Sequence, residues 1–427
     1  MYLMQKFFST CLVTILLGVA TGASLDGVYH ADRFRVYFNN DLGLIEVLET
    51  RDGATTGFAS FDQMLREVGA TDVKQWLPKA TDFDRDGDIF LSRFYEVTLP
   101  DIRTNIQEVV SEFTSNEHIL FAERVPIYRL DYEPNDPRYN QQWYIPQVTV
   151  DFAWDMWDIA GGNEPGDENI VVGIVDTGCD WDHPDLIENL WQNMDEDYDG
   201  DGATIEYVGG SWQLDSGDLN GVDDDGDGYV DNLIGWDIAM EDNNPVGPPS
   251  GPDRMHGTHV AGVPGATTNN NLGMASEGWK VKHMPIKCAQ EDADGIYGGY
   301  NGILCAAQTG ADIINCSWGG GGFSGGAQAV INVAYNNYGT IIIASAGNGD
   351  DFGNEEYAAH YPSSYDNVIS VTALGTNDAW NHWATYHESV DFAAPGESIL
   401  STVYANVSGG YESWMGTSMA SPVVAGC

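Results

Sequence analysis

Three polar side chains in this sequence could together activate a hydroxyl group. Asp176 ends the apolar run 170–175, His256 begins a segment of small residues, and Ser418 follows a glycine and a threonine. A serine hydroxyl is a poor nucleophile at neutral pH, so it needs an imidazole to take its proton and a carboxylate to fix the tautomer of that imidazole. We therefore predict that Ser418 is a nucleophile, that His256 is its base and that Asp176 orients His256.

A fourth polar side chain, Asn348, follows another apolar run, 341–344. Attack of a serine on a carbonyl group creates an oxyanion, which needs hydrogen-bond donors that are already in place. The side-chain amide of Asn348 can supply one such donor. Gly416 and Thr417 permit a tight turn that puts Ser418 at a helix N-terminus, where the helix dipole favours negative charge.

The elements that must position these side chains alternate between apolar runs and helix-like segments from residue 150 onward. The runs are 169–175, 311–315, 341–344 and 368–371, and the helix candidates include 300–309 and 327–336. Continuous apolar runs are typical of strands that are buried on both faces. The alternation predicts an α/β fold with a doubly wound, mostly parallel sheet and helices on both faces. In such folds the chemistry lies at the C-terminal ends of the strands.

The motifs around these residues resemble those of the subtilase family of serine proteases, in the order Asp, His, Ser that the family uses. They are Asp176-Thr177-Gly178, His256-Gly257-Thr258-His259, Ser345-Ala346-Gly347-Asn348 and Gly416-Thr417-Ser418-Met419-Ala420. The resemblance covers 169–427 and implies a subtilisin-like serine endopeptidase that hydrolyses peptide bonds through an acyl-enzyme. It also implies that Asn348 joins the Ser418 backbone N–H in an oxyanion hole and that His259 is structural.

The resemblance further implies a groove for the substrate. Ser317, Trp318 and Gly319 are similar to the family segment that pairs with an extended polypeptide, which adds to it as a strand. Ala346 and Gly347, which precede the oxyanion asparagine, are expected to contact substrate too. His360 falls where the family has the floor of the S1 pocket.

The first 130 residues differ in character from the rest. Residues 1–23 combine a single positive charge, an apolar run at 7–20 and small residues after it, which predicts a signal peptide and secretion out of the cell. Residues 24–130 predict a small α+β unit. This unit resembles a subtilase propeptide, which implies a folding aid and inhibitor that the enzyme removes from itself. Residues 131–427 are then the catalytic domain.

The segment that begins at Ser418 is apolar nearly all round, which is typical of a buried helix. A charged C-terminal carboxylate in such a helix would be costly to bury. We therefore expect the catalytic domain to continue beyond Cys427, so that residues 131–427 are incomplete at the C-terminal end. A fragment that is inactive because of this truncation is an alternative to the active protease.

Five cysteines follow the predicted signal peptide, namely Cys179, Cys288, Cys305, Cys316 and Cys427. Because the number is odd, at least one of them is unpaired or has a partner elsewhere, and the connectivity stays open. The chain has no C-x-x-C motif, which argues against a redox pair and a thiolate zinc site.

The chain is strongly acidic, with 65 Asp and Glu against 17 Lys and Arg and a formal net charge of −48. Such a surface repels phosphate groups, so nucleic acids and anionic membranes are disfavoured as partners. It suits divalent cations and solubility in salt. We expect polypeptide substrates and the chain's own propeptide as partners, and a monomer.

An acidic, glycine-rich segment, residues 195–231, is called the acidic insert below. It contains D-x-D-x-D-G from Asp223, and carboxylates at alternate positions around a glycine turn are a typical Ca²⁺ cage. We predict a structural Ca²⁺ bound by Asp223, Asp225, Asp227 and Asp231, with Asp231 in part replacing the missing closing glutamate. Weaker candidates are 195–199 in the same insert and 82–86 in the first 130 residues, where solvated loops are the alternative.

Two other kinds of function compete with the subtilisin-like protease, namely a catalytically silent scaffold and a hydrolase of another class. A catalytically silent, secreted calcium-binding scaffold would not need the set Asp176, His256, Asn348 and Ser418, and a fluorophosphonate label on Ser418 would separate the two. An α/β-hydrolase esterase would need G-x-S-x-G, but position 420 is Ala. A sedolisin-type acid protease would need a glutamate where His256 stands.

Overall fold

A computed structural model describes residues 29–50, 53–100, 106–126, 132–292, 295–350 and 352–427. The predicted signal peptide, residues 1–23, lies outside these ranges. The chain divides into two compact units, Met1–Leu130 and Asp131–Cys427. The described residues of the first unit form one hydrophobic core, and those of the second unit form two large cores and a smaller one.

The first unit is α+β. Its elements are β1 Tyr29–Phe38, β2 Leu48–Thr50, β3 Gly53–Thr55, α1 Ala59–Val68, β4 Asp72–Gln75, β5 Arg85–Asp86, β6 Ile89–Phe90, β7 Phe94–Thr98, α2 Ile106–Thr114 and β8 Ile119–Pro126. The antiparallel sheet has the order β4-β7-β1-β8. Because side chains alternate along β1, Phe34 and Phe38 share a face. They meet Phe113 of α2 and Phe61 of α1 at ring-centroid distances of 4.7 and 5.0 Å.

The second unit is built on a seven-stranded sheet. Its helices are α3 Tyr144–Gln147, α4 Val150–Trp154, α5 His256–Gly265, α6 Gly299–Gln308, α7 Gly325–Val333 and α8 Thr417–Gly426. In spatial order the sheet strands are β12 Trp236–Asp237, β13 Lys282–Lys287, β9 Val171–Asp176, β14 Ile313–Cys316, β15 Ile341–Ser345, β17 Val368–Leu374 and β19 Phe392–Pro395. All neighbouring strands in it are parallel, which confirms the predicted fold class.

The central strand β9 shows why both faces of the sheet are covered. Val172 and Ile174 belong to the core that α5 and α8 complete, whereas Val171 and Val175 belong to the core that α6 and α7 complete. Side chains alternate along a strand, so a continuous apolar run places one half of its residues in each core. Asp176 has the parity of Val172 and Ile174 and therefore lies on the face covered by α5.

Short strands decorate this core, namely the β10 Ile205–Val208 and β11 Ser211–Leu214 hairpin, the β16 Glu356–Tyr357 and β18 Thr385–Tyr386 pair, and the β20 Ile399–Thr402 and β21 Tyr411–Trp414 hairpin. The β10–β11 hairpin lies within the acidic insert. Among the described residues, no helix combines the length and the apolar character that crossing a bilayer requires.

Candidate active site

The carboxylate and the imidazole predicted for the catalytic triad are in contact. Asp176 is the last residue of β9 and is fully buried, and His256 is the first residue of α5. The distance between His256 Nδ1 and Asp176 Oδ1 is 2.7 Å. Because a carboxylate only accepts, Nδ1 carries the proton, and the lone pair of the neutral ring is at Nε2. This is the tautomer that a general base requires.

The electrostatic surroundings favour the protonated form of His256. Burial alone would lower the pKa of the imidazole, but the charge of Asp176 and its hydrogen bond act in the opposite direction, with a smaller contribution from Asp253. The net effect raises the pKa of His256 above its ordinary value. An imidazolium formed by proton transfer is therefore stabilised where it forms.

Ser418 is the second residue of α8, and Thr417 separates it from Gly416, the glycine that precedes this helix. Its hydroxyl donates a 2.8 Å hydrogen bond to the Ser317 carbonyl oxygen. The hydroxyl of Ser317 in turn donates to the Ser418 carbonyl oxygen at 2.7 Å. This double contact ties the start of α8 to the end of β14. Ser418 and His256 line the same cleft, and hydrogen bonds between a nucleophile and its base often form fully only with substrate.

The amide of Asn348 is held in one orientation. Its Oδ1 accepts from the Thr417 backbone N–H and from the Thr417 hydroxyl, both at 2.9 Å, so its NH₂ group remains free for another acceptor. A Cβ built on Gly416 would lie 3.6 Å from each of Asn348 Nδ2, the Ser418 backbone N and Met419 Sδ. Two donors thus converge on one small region, which is what an oxyanion hole requires.

Ser317, Trp318 and Gly319 follow β14 and line the same cleft as His256 and Ser418. The cleft is open and has a volume of about 1000 Å³. Trp318 is fixed by its indole N–H, which donates to the Val175 carbonyl oxygen at 2.7 Å. The segment is therefore extended and anchored, and its Gly319–Gly322 portion also borders the cleft.

His360 lies against both Gly319 and Gly347, two glycines that line this cleft. A Cβ on Gly319 would lie 2.4 Å from His360 Cε1, and a Cβ on Gly347 would lie 3.0 Å from His360 Cδ2. The ring Nδ1 lies 3.1 Å from the Ser345 carbonyl oxygen, to which it donates. Burial lowers the pKa of His360, so the ring is neutral near pH 7. Ala346, directly before Gly347, is buried.

His259, one turn after His256, is buried and makes no contact with the triad carboxylate. Its Nε2 donates to the carbonyl oxygens of Ile399 and Glu412 at 3.1 and 3.2 Å, and its ring stacks on Trp414. Burial, together with the charge of His256, lowers the pKa of His259 to about 3. These contacts fit a structural role.

The predicted calcium residues separate into two groups. Asp223 and Asp225 each place a carboxylate oxygen within 4.8 Å of the other and of Glu196. Glu196 is fully buried, its Oε1 accepts from the Asp224 and Asp225 backbone N–H groups, and its Oε2 has no partner among the described residues. The spacing within the loop gave no signal for Glu196, because Glu196 and Asp224 are 28 positions apart.

Asp227 and Asp231 lie outside this cluster of three, and their carboxylates accept hydrogen bonds from neighbouring groups. Asp227 accepts from the Tyr229 backbone N–H and the Asn232 amide. Asp231 accepts from the backbone N–H groups of Asn220 and Gly221. These hydrogen bonds hold the turns on either side of the loop. The carboxylate cluster therefore contains two of the four predicted residues together with Glu196, and the calcium role of all four aspartates stays a prediction.

The four cysteines Cys179, Cys288, Cys305 and Cys316 are buried and free, and Cys427 is free and exposed. Burial raises the pKa of each buried thiol, so these groups are neutral and behave as small apolar side chains. None of them lines the cleft among the described residues.

Comparison with known proteins places this cleft in a family. The sequence profile of the subtilase family matches residues 167–427. The thermophilic serine proteinase of Bacillus sp. (strain AK1) is 31% identical over 364 residues, which cover 85% of this chain and 71% of that protein. Thermitase of Thermoactinomyces vulgaris is 33% identical over 296 residues, 69% of this chain and 84% of that protein. A solved protease of Pseudoalteromonas arctica is 27% identical, with a TM-score of 0.48, and covers 69% of this chain and 85% of that one.

The subtilase profile and the two curated relatives define the chain as a serine-type endopeptidase. The chain belongs to the subtilase family. Its substrates are therefore polypeptides.

Proposed function

We propose that the chain is a secreted endopeptidase that cleaves polypeptides with the triad Asp176, His256 and Ser418 through an acyl-enzyme. The observation that carries this proposal is the 2.7 Å contact between Asp176 and His256, in a cleft that also contains Ser418 and Asn348. Secretion is supported by relatives described as extracellular proteases, among them one of Xanthomonas campestris.

In the first half-reaction, His256 Nε2 takes the proton of the Ser418 hydroxyl while Oγ attacks the scissile carbonyl carbon. The carbonyl oxygen becomes an oxyanion, which accepts hydrogen bonds from Asn348 Nδ2 and the Ser418 backbone N–H. Asp176 stabilises the imidazolium. The tetrahedral intermediate then expels the amine, which receives the proton from His256, and an ester on Ser418 remains.

In the second half-reaction, a water molecule takes the place of the amine. His256 accepts one proton of the water, whose oxygen attacks the ester carbon, and the same donors bind the new oxyanion. Collapse returns the proton to Ser418 Oγ and releases the carboxylic acid. The net reaction adds one water molecule across the peptide bond, regenerates Ser418 and His256, and involves no change in oxidation state.

The extended segment Ser317–Trp318–Gly319 pairs with substrate as a strand, and Ala346 and Gly347 form the opposite wall. His360 fills the space between the walls, so we propose that the pocket for the P1 side chain is shallow and accepts small residues. The test is cleavage of a peptide library. If the enzyme cleaves after large aromatic residues as readily as after alanine, this assignment is wrong.

Residues 24–130 are proposed to act as a propeptide, an inhibitor and folding aid that the catalytic unit removes in cis. Support comes from its independent core and from the family to which the following unit belongs. The N-terminal segment 1–23 is proposed to direct export, and the mature enzyme is proposed to act as a monomer.

A structural Ca²⁺ is proposed at the Asp223 loop, with Glu196, Asp223 and Asp225 as its ligands. A fully buried carboxylate with an unpartnered oxygen is costly unless a proton or a cation satisfies it. Carboxylate oxygens without any nitrogen or sulfur ligand suit Ca²⁺. The ion would hold the acidic insert and takes no part in the proton transfers.

A fluorophosphonate probe tests the catalytic proposal. It should label the parent on Ser418, and Ser418→Ala should lose both the label and peptide hydrolysis, with a fall in kcat on the order of 10⁶-fold. The matched control is Ser413→Ala, because Ser413 lines the same cleft and is exposed. Labelling that persists in Ser418→Ala, or is lost in Ser413→Ala, would overturn the assignment.

A further inference from the structure

The acidic insert contains two loops that share one hydrogen-bonding pattern. The first loop comprises residues 197–202 and the second loop comprises residues 223–228. In the second loop, the first aspartate, Asp223, accepts from backbone N–H groups three and five positions further on, at 2.7 and 3.0 Å. In the first loop, Asp197 does the same at 2.8 and 3.0 Å. The donors are Gly200 and Gly202 in the first loop and Gly226 and Gly228 in the second. The first loop is therefore a second copy of the loop predicted to bind calcium.

Each loop is closed by a carboxylate that precedes the other loop in the chain. Glu196, directly before the first loop, accepts from the second and third backbone N–H groups of the second loop at 2.9 and 3.2 Å. Asp218, shortly before the second loop, accepts from the Tyr198 and Asp199 backbone N–H groups of the first at 2.9 and 3.3 Å. The two loops thus share one reciprocal arrangement.

The carboxylate that closes the first loop, Asp218, also has a buried oxygen without a hydrogen-bond partner in the described part of the chain, which is an observation separate from the turn geometry. Asp218 is 0% exposed, and its Oδ2 has no hydrogen-bond partner among the described residues. Its carboxylate lies within 4.8 Å of oxygens of Asp197 and Asp199. Three like charges so close repel one another, and desolvation adds to the cost. Burial, chiefly, and the neighbouring Asp215 and Asp197 raise the pKa of Asp218.

We propose that Asp197, Asp199 and Asp218 bind a second Ca²⁺, distinct from the ion at Glu196, Asp223 and Asp225. A divalent cation would satisfy the unpartnered Asp218 oxygen and neutralise most of the local charge. All three ligands offer oxygen, which suits Ca²⁺, and backbone carbonyls and water complete its shell of six to eight. Because Glu196 is adjacent to Asp197, binding at one loop orders the ligand that closes the other.

The proposal predicts how many ions the insert holds, and it does not depend on the peptidase activity. Bound calcium is counted by equilibrium dialysis and native mass spectrometry on the full chain with Ser418→Ala, which prevents self-digestion. Asp199→Ala and Asp225→Ala each remove one ligand from a different loop, and both residues are accessible enough for the substitution to leave the core intact. Each single variant should lose at least one ion, and the double variant should lose two.

The matched control is Asp195→Ala, which removes a negative charge from the same insert at an exposed residue outside both clusters. It should retain the parental number of ions. A double variant that loses only one ion, or an Asp199→Ala variant that loses none, would overturn the second site. An equal loss in Asp195→Ala would do so as well, because it would reveal a diffuse effect of charge.

Discussion

The catalytic cleft and the acidic insert hold their functional groups in opposite ways. In the cleft, Asp176 ends a buried strand, while His256 and Ser418 begin buried helices, so packing fixes where each side chain starts. In the insert, carboxylates such as Glu196 and Asp218 are placed by backbone N–H groups of distant turns, with like charges around them. We therefore expect a substitution in the cleft to alter the catalytic rate and to leave the stability of the fold nearly unchanged. A change in the insert should alter stability and leave the rate of the folded enzyme nearly intact.

After the loss predicted for Ser418→Ala, the largest effect is expected for Asp176→Asn, which keeps the shape of a buried side chain and removes its charge. kcat should fall by about 10⁴-fold, because the neutral amide no longer holds the required tautomer or stabilises the imidazolium. His256 acts as a base only when neutral, so activity is lost as pH falls through its pKa. Asp176 raises that pKa, so its removal should move the acid limb of kcat/KM to lower pH.

Rates measured across pH for the parent and Asp176→Asn check this. Asp253→Asn is the matched control, because Asp253 is an exposed cleft residue with a weaker influence on His256. Its kcat should stay near the parental value and its acid limb should move less. An acid limb that stays in place in Asp176→Asn would mean that the 2.7 Å contact does not set the basicity of His256.

These expectations reflect how much the sequence could reveal. The apolar run before Asp176 predicts a buried strand. The residue that ends such a strand lies at the carboxyl end of the sheet, and this placement does not depend on residues far away in the sequence. The Asp223 loop was recognised for the same local reason. Its closing ligand, Glu196, comes from 28 positions before Asp224, and no periodicity links the two. The spacing also predicts Asp231 as a ligand, and its carboxylate accepts from the Asn220 and Gly221 backbone N–H groups.

A smaller loss is expected for Asn348→Ala. If Asn348 Nδ2 is a donor to the oxyanion, as proposed, the substitution should lower kcat by about 10²–10³-fold and leave KM unchanged, because the donor then binds the substrate oxygen only when that oxygen carries charge. The fold should persist, although Thr417 loses its acceptor. Steady-state kinetics and thermal unfolding on one preparation decide the point. A rise in KM that accounts for the whole loss would show that Asn348 binds the ground state instead.

In the insert the expected effect is on stability. A ligand bound only by the folded state adds about 2.7 kcal/mol when its free concentration is about 100 times Kd, so a chelator should lower Tm. Asp225→Ala should show a smaller chelator-dependent shift than the parent, both with Ser418→Ala. In the active background, kcat of Asp225→Ala below its Tm should match the parent. Equal shifts in parent and variant would exclude the Asp223 loop as the stabilising site, and a large fall in kcat would contradict the division between the two regions.

The smallest expected effect is a loss of activity on oxidation of Met419, a buried residue beside the cleft. Met419 directly follows Ser418 and borders the cleft, and its sulfur lies 3.6 Å from the same Gly416 Cβ position as Asn348 Nδ2 and the Ser418 backbone N. Its sulfoxide would place a polar oxygen beside these donors. That oxygen would compete with the substrate oxyanion, so peroxide should lower kcat while the fold survives.

Because other methionines oxidise too, the informative comparison is between two cleft methionines. Met415 also borders the cleft and is 58% exposed, so it should oxidise faster than Met419, which is 2% exposed. If proximity to the oxyanion donors governs the loss, Met415→Ala should be inactivated by peroxide at the parental rate, and Met419→Ala should resist. If solvent exposure of the methionine governs the loss of activity, Met415→Ala should resist peroxide and Met419→Ala should be inactivated at the parental rate. Peptide hydrolysis followed during peroxide treatment, with mass spectrometry to locate the sulfoxides, distinguishes these cases.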